Sequence, residues 1–146
     1  MLKKEITYTD FNGDTRTDTL YFNMTQTELA ELDIETGGVL KEKLTRMIAN
    51  QDAAGLAAFF KAIIIKSYGE KSDNGRYFEK GEDFALGKRF AQSAAFDKMF
   101  VELLSDETGE KIQSFIFGIV PSEIAAQAKA STNPVISIAA DNTENK

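Results

Sequence analysis

The sequence predicts an α+β fold, an N-terminal antiparallel β-hairpin followed by a small bundle of about five amphipathic α-helices. Three observations predict it. Residues 1–24 are rich in Thr, Tyr and Phe and alternate in polarity on either side of Asn12-Gly13. From Thr25 onward apolar residues recur at helical spacing. Gly37-Gly38 and Pro121 stand where that spacing is interrupted.

The hairpin comes first, over residues 4–23, with strands KEITYTD and RTDTLYFNM. A two-residue Asn12-Gly13 loop would send Ile6 and Tyr8 to the face opposite Leu20 and Phe22. A three-residue loop of Phe11, Asn12 and Gly13, with Gly13 left-handed, pairs Asp10 with Asp14 and brings all four to one face. The second register is the expected one, because only it gives the hairpin a single apolar side.

Thr25 and Glu28 form a capping box, the hydroxyl accepting from the third backbone N–H while the carboxylate reaches back to the cap. A short helix to about Ile34 follows, and Gly37-Gly38 ends it. Leu40, Leu44, Met47 and Ile48 then mark a one-faced helix. The stripe recurs at Leu56, Phe59, Phe60, Ile63 and Ile64, with Asp52 as its cap. It recurs again from Phe96 to Leu104 and from Ile112 to Val120, where Pro121 closes the run. Between these, residues 67–84 (SYGEKSDNGRYFEKGEDF) are expected to be a long solvated loop turning at Asp73-Asn74-Gly75. A shorter helix around Leu86 to Ala95 leads out of it. A single domain over 1–121, with helices from about 25 to 120, is expected to precede a helical stub and flexible tail over 122–146.

The bulk numbers bound the chemistry. The 146 residues make about one ordinary domain. No apolar run approaches the ~20 residues that cross a bilayer, and the polar turn after MLKKEITYTD gives no secretory h-region. A cytoplasmic location is expected. The chain has no cysteine and no histidine, which removes disulfides, thiolate chemistry, the commonest general base and the usual zinc ligands. A net charge of −6 opposes non-specific binding to nucleic acid or an anionic membrane. Neither is an expected partner; a protein or peptide is.

Asp10, Asn12 and Asp14 occupy the first, third and fifth places of an EF-hand loop. Thr15 stands where that loop needs glycine and Tyr21 where it needs the bidentate glutamate, so the acids read as turn residues and no metal is expected. Gly69, Gly75 and Gly81 lie near Lys66, Lys71, Arg76 and Lys80 without the G-x-x-x-x-G-K-[ST] spacing that cradles phosphate. No serine precedes a lysine by three places, which leaves out the Ser-Lys nucleophile. No catalytic residue and no cofactor follow from these patterns. Tyr68, Arg76, Tyr77 and Phe78 combine aromatic rings with a guanidinium, the composition of a protein-binding hot spot, and are the candidate partner-binding residues. Packing of the rings onto the domain's own core is the competing reading.

Read as blocks, ITYTDFNGDTRTDTLYFNMTQTELAEL, IIIKSYGEKSDNGRYFEK, FAQSAAFDKMFVELL and FIFGIVPSE resemble the tail assembly chaperones of long-tailed (siphovirus-type) bacteriophages and of prophages of Gram-positive hosts. The resemblance covers about residues 4 to 123. It implies a non-catalytic protein of the host bacterial cytoplasm that binds the tape measure protein, keeps it soluble, helps recruit tail tube subunits and is absent from the finished virion. Self-association is compatible with it. The competing readings are a structural tail component, a small enzyme using Asp, Glu, Lys or Tyr, and a regulatory protein-binding adaptor.

Overall fold

A computed structural model describes residues 1–38 and 40–121; the expected stub and tail, 122–146, lie outside the described residues. The fold is α+β. It begins with the strands β1 (Leu2–Thr9) and β2 (Thr15–Phe22), then α1 (Gln26–Glu35), α2 (Leu40–Ala49) and α3 (Ala53–Ser67). After β3 (Tyr68–Lys71) and β4 (Phe78–Glu79) come a 3-10 turn (Glu82–Phe84), α4 (Ala85–Phe90), α5 (Ala94–Ser105) and α6 (Glu110–Ile119).

The first hairpin adopts the three-residue loop. Thr9 pairs with Thr15, the Asp10 N–H donates to the Asp14 carbonyl at 2.8 Å, and Gly13 sits at φ +88°. Glycine takes that left-handed backbone without the steric cost a Cβ would bring. Ile6, Leu20 and Phe22 are consequently buried on one face, while Thr7 and Thr17 pair their hydroxyls at 2.8 Å on the solvated one.

The helix ends follow local chemistry. Thr25 Oγ accepts from the Glu28 N–H at 3.1 Å and Glu28 Oε1 accepts from the Thr25 N–H at 2.9 Å, completing the capping box. Gly37, left-handed at φ +76°, donates to Ile34 and Gly38 to Asp33, which is the paired hydrogen bonding of a Schellman ending. Asp52 caps α3 by accepting from Gly55 at 2.9 Å. Val120, extended at ψ 161° ahead of Pro121, stops α6.

Two expectations fail. Residues 67–84 are not a long loop: α3 runs directly into β3, which pairs with β2 through Tyr21↔Gly69 and Phe22↔Tyr68 and with β4 through Lys71↔Phe78. The result is a four-stranded antiparallel sheet in the order β1-β2-β3-β4. The turn does fall at the expected glycine, with Gly75 at φ +77° donating to the Ser72 carbonyl. The helix expected over Leu86 to Ala95 ends at Phe90, because Ser93 breaks it and caps the next helix, its Oγ accepting from the Phe96 N–H at 3.1 Å.

The core lies between the sheet and the helices. α5 packs across β1, and α4 packs on β3 and on α3. Phe22, with no exposed surface, is the hub; its ring meets Tyr68 at 5.7 Å, Phe90 at 5.8 Å and Phe115 at 5.2 Å, all edge to face. The helical stripes therefore close on the sheet as well as on one another.

Candidate partner-binding site

The second hairpin separates the four aromatic and basic candidates. Tyr68 points inward and stacks on Phe90 at 4.3 Å with the planes 5° apart. Phe78 lies over β3, so close that a Cβ on Gly69 would stand 2.6 Å from its ring and 2.7 Å from the Glu79 carbonyl. Gly69 is thus a buried point of close approach within a strand and not part of the solvated loop expected over 67–84. Arg76 and Tyr77 are exposed at the hairpin tip, Tyr77 by 64%. The Asn74 carboxamide shapes that tip by accepting from the Arg76 N–H at 3.0 Å.

Lys80, read from sequence as a solvated loop cation, is instead largely buried, its side chain 9% exposed. Its Nζ donates to the Asn23 carbonyl at 2.7 Å, the Lys66 carbonyl at 2.6 Å and Glu28 Oε1 at 2.7 Å. Three acceptors surround it, so the ammonium is the form the site satisfies, although the neighbouring Lys66 ammonium works against it. Burial pushes it below the ordinary lysine value, and the Glu28 carboxylate opposes that shift. Lys80 thereby ties the end of β2, the capping box of α1, the last turn of α3 and β4 into one node. Its flanking rings, Phe78 and Phe84, stand 5.8 and 5.9 Å from Nζ. A lysine between two aromatics was the one available sign.

Two concave surfaces adjoin these elements. A groove of about 700 Å³ runs between the tip half of the first hairpin and the α4–α5 elbow. Its walls carry both charge signs, Asp18 and Glu70 against Arg16 and Arg89, above the rings of Tyr68 and Phe90. Tyr8 Oη donates to Asp18 at 2.5 Å, and that bond to a carboxylate raises the phenol above its ordinary value; burial first, then Glu70, raises Tyr68. Between α3, α5 and α6 lies a void of about 10 Å³, no larger than one water, lined only by apolar side chains, including Phe60, Ile64, Phe100 and Ile112. On α5, Val101 and Leu104 are 56% and 42% exposed.

The acidic turn of the first hairpin is a structural device. Asp10 Oδ1 accepts from the Asn12 and Asp14 N–H groups at 2.9 and 3.0 Å, and Oδ2 faces Arg16 at 3.3 Å. The Asp14 N–H bond is the largest cause holding the Asp10 carboxyl below its usual range. Among the described residues no three acidic side chains converge as a metal site, and no helix is long and apolar enough to cross a membrane.

Of the two concave surfaces, the mixed-sign groove of about 700 Å³, floored by the Tyr68 and Phe90 rings, is the one with room for another molecule. The chain belongs to the phage tail assembly chaperone family, whose model matches residues 1–146. No curated protein and no solved structure matches it. Family membership gives it a non-catalytic role in tail assembly and makes its partners proteins of that process.

Proposed function

We propose that this chaperone binds the tape measure protein of a siphovirus-type phage or prophage of a Gram-positive host, keeps it soluble in the bacterial cytoplasm, and helps recruit tail tube subunits before leaving the particle. The observation that carries this reading is the family match over the entire chain. The physical route is the one open to amphipathic partners in general. A long helical partner exposes apolar stripes, and a helix seated in an apolar cleft buries them at about 25 cal/mol per Å², offset by ordering costs. Weak single contacts repeated along one long chain give avidity while each stays displaceable. Of the four hot-spot candidates, Arg76 and Tyr77 are free to touch the partner directly; Tyr68 and Phe78 hold the hairpin that presents them.

Co-expression with the tape measure protein of the same genome tests the proposal. Expected are co-purification and a shift of the tape measure protein into the soluble fraction, with purified virions free of the chaperone. Equal recovery on an unrelated coiled-coil bait would refute it, and stoichiometric presence in virions would favour a structural tail component.

A further inference from the structure

Helix α1 is held differently from α3, α5 and α6, each of which buries three or more residues. Leu32 is its one buried residue, Leu29 packs partly against the core, and Ile34 is 73% exposed on the far side. Each end is instead met by a lysine from elsewhere in the chain, the first in a buried pair and the last in an exposed one. Lys80 meets Glu28 in the first turn at 2.7 Å, and Lys66 meets Glu35 in the last turn at 3.5 Å.

The two lysines form one seat. The Lys66 carbonyl accepts from Lys80 Nζ, and the Lys66 Nζ stands 4.6 Å from the centre of the Phe84 ring, which Lys80 also approaches. Phe84 reaches that place from a left-handed backbone, φ 60°, directly after Asp83 at φ 53°. Two consecutive non-glycine residues in that region are costly, and such cost persists where surrounding contacts enforce it. The strained elbow therefore positions an aromatic platform beneath both ammonium groups.

Glu28, Leu29, Leu32 and Glu35 fall at i, i+1, i+4 and i+7, one face of a helix. That face is acid, apolar, apolar, acid, and it meets ammonium, apolar core, ammonium. We propose that α1 fills, in the free protein, a seat that an amphipathic helix of a partner takes in its place, one carrying acidic residues seven positions apart around an apolar pair. The occupant is identified by charge complementarity with Lys80 and Lys66. The displacement rests on the reading that this chain grips another polypeptide; the sparse apolar burial of α1 and its dependence on two lysines do not.

Hydrogen exchange on the full-length protein tests the tether. Amides of α1 are expected to exchange at least about tenfold faster than those of α5, through a local opening, and about tenfold faster again in the Glu28→Gln, Glu35→Gln double variant, which keeps the Lys80 bonds to the Asn23 and Lys66 carbonyls, while α5 and β1 change less than about twofold. Exchange of α1 only in step with α5, in both proteins, would overturn the proposal. The seat is tested with a labelled peptide of Thr25–Thr36 titrated into full-length protein carrying Glu28→Gln and Glu35→Gln. Saturable binding at least about tenfold tighter than that of the peptide with both glutamates as glutamine is expected, a difference two ion pairs can supply. Equal binding, or none, overturns the seat. Failure to bind the tape measure protein with both results intact would count against the partner's identity and leave the seat standing.

Discussion

Gly87→Ala offers the sharpest test of how α4 docks, because local and tertiary effects have opposite signs. In an isolated helix the change stabilises by up to about 1 kcal/mol, since alanine has the higher helix propensity. Here α4 crosses α3 so closely that a Cβ on Gly87 would stand 1.8 Å from the Ile65 carbonyl oxygen and 2.7 Å from its carbon. Both obstacles are backbone, so neither can rotate away; the helices must part by roughly 1 Å or more to reach ordinary contact. Phe90, on the same helix, is 6% exposed and stacks on Tyr68 while meeting Phe22 and Phe96 at 5.8 and 5.7 Å, so it moves with α4. Overpacking costs about 1–3 kcal/mol and each disturbed ring pair up to about 1 kcal/mol, which gives a net loss of about 2–4 kcal/mol after the propensity gain. Urea unfolding followed by circular dichroism should show the midpoint falling by about 1–2 M at unchanged slope. A midpoint equal to or above the parent's would refute the close crossing.

Phe22→Ala should cost about 3–5 kcal/mol, since the ring is wholly buried and three aromatic neighbours lose their common partner; a loss under about 1 kcal/mol would deny its place as hub. Thr25→Ala removes one half of the capping box and should cost about 1 kcal/mol, read from thermal melts, with Ser in its place restoring most of it. Gly13→Ala places a Cβ in a left-handed position with no compensating contact and should cost about 1–2 kcal/mol, with α6 amides keeping their relative order of exchange. Tyr8 and Tyr68 are both raised above the ordinary 10.0 in the folded chain, so the folded state holds their protons more tightly than the unfolded chain does. Their contribution is complete below that value and is lost as pH climbs through it; Lys80, shifted down by burial, works in the opposite direction over the same range. Tyr68→Phe should therefore flatten the alkaline fall in stability, and an unchanged slope in urea midpoints against pH would contradict the assignment.

The signals that were legible in the sequence are those confined to a few neighbouring residues. Asp10 to Asp14 and the demand for one apolar face fixed the first hairpin's register, because a slip of one residue would turn Ile6 and Tyr8 outward. Thr25 with Glu28, Asp52 with Gly55, and Val120 before Pro121 each marked a helix end through a contact only a few residues long. Family membership was legible too, in blocks spread along the chain. The second hairpin was not, since β3 gains its place by pairing Gly69 with Tyr21, far away in sequence, and a four-residue strand carrying one glycine and two charges has no periodicity to display.

The same limit separates the candidate residues. Sequence placed Tyr68, Arg76, Tyr77 and Phe78 together by proximity, whereas pairing of β3 with β4 puts Tyr68 and Phe78 in strands and leaves Arg76 and Tyr77 in the exposed connection, and the stack on Phe90 takes Tyr68 inward. Lys80 shows it most plainly. Its three acceptors, Asn23, Glu28 and Lys66, come from three elements, and a lysine is worth burying only where all of its donors meet oxygen at once. Composition and spacing settle what each short segment can form, because those energies are local. Which segments meet, and so which cation is solvated and which is a tether, is decided by contacts that exist only after the chain has closed on itself.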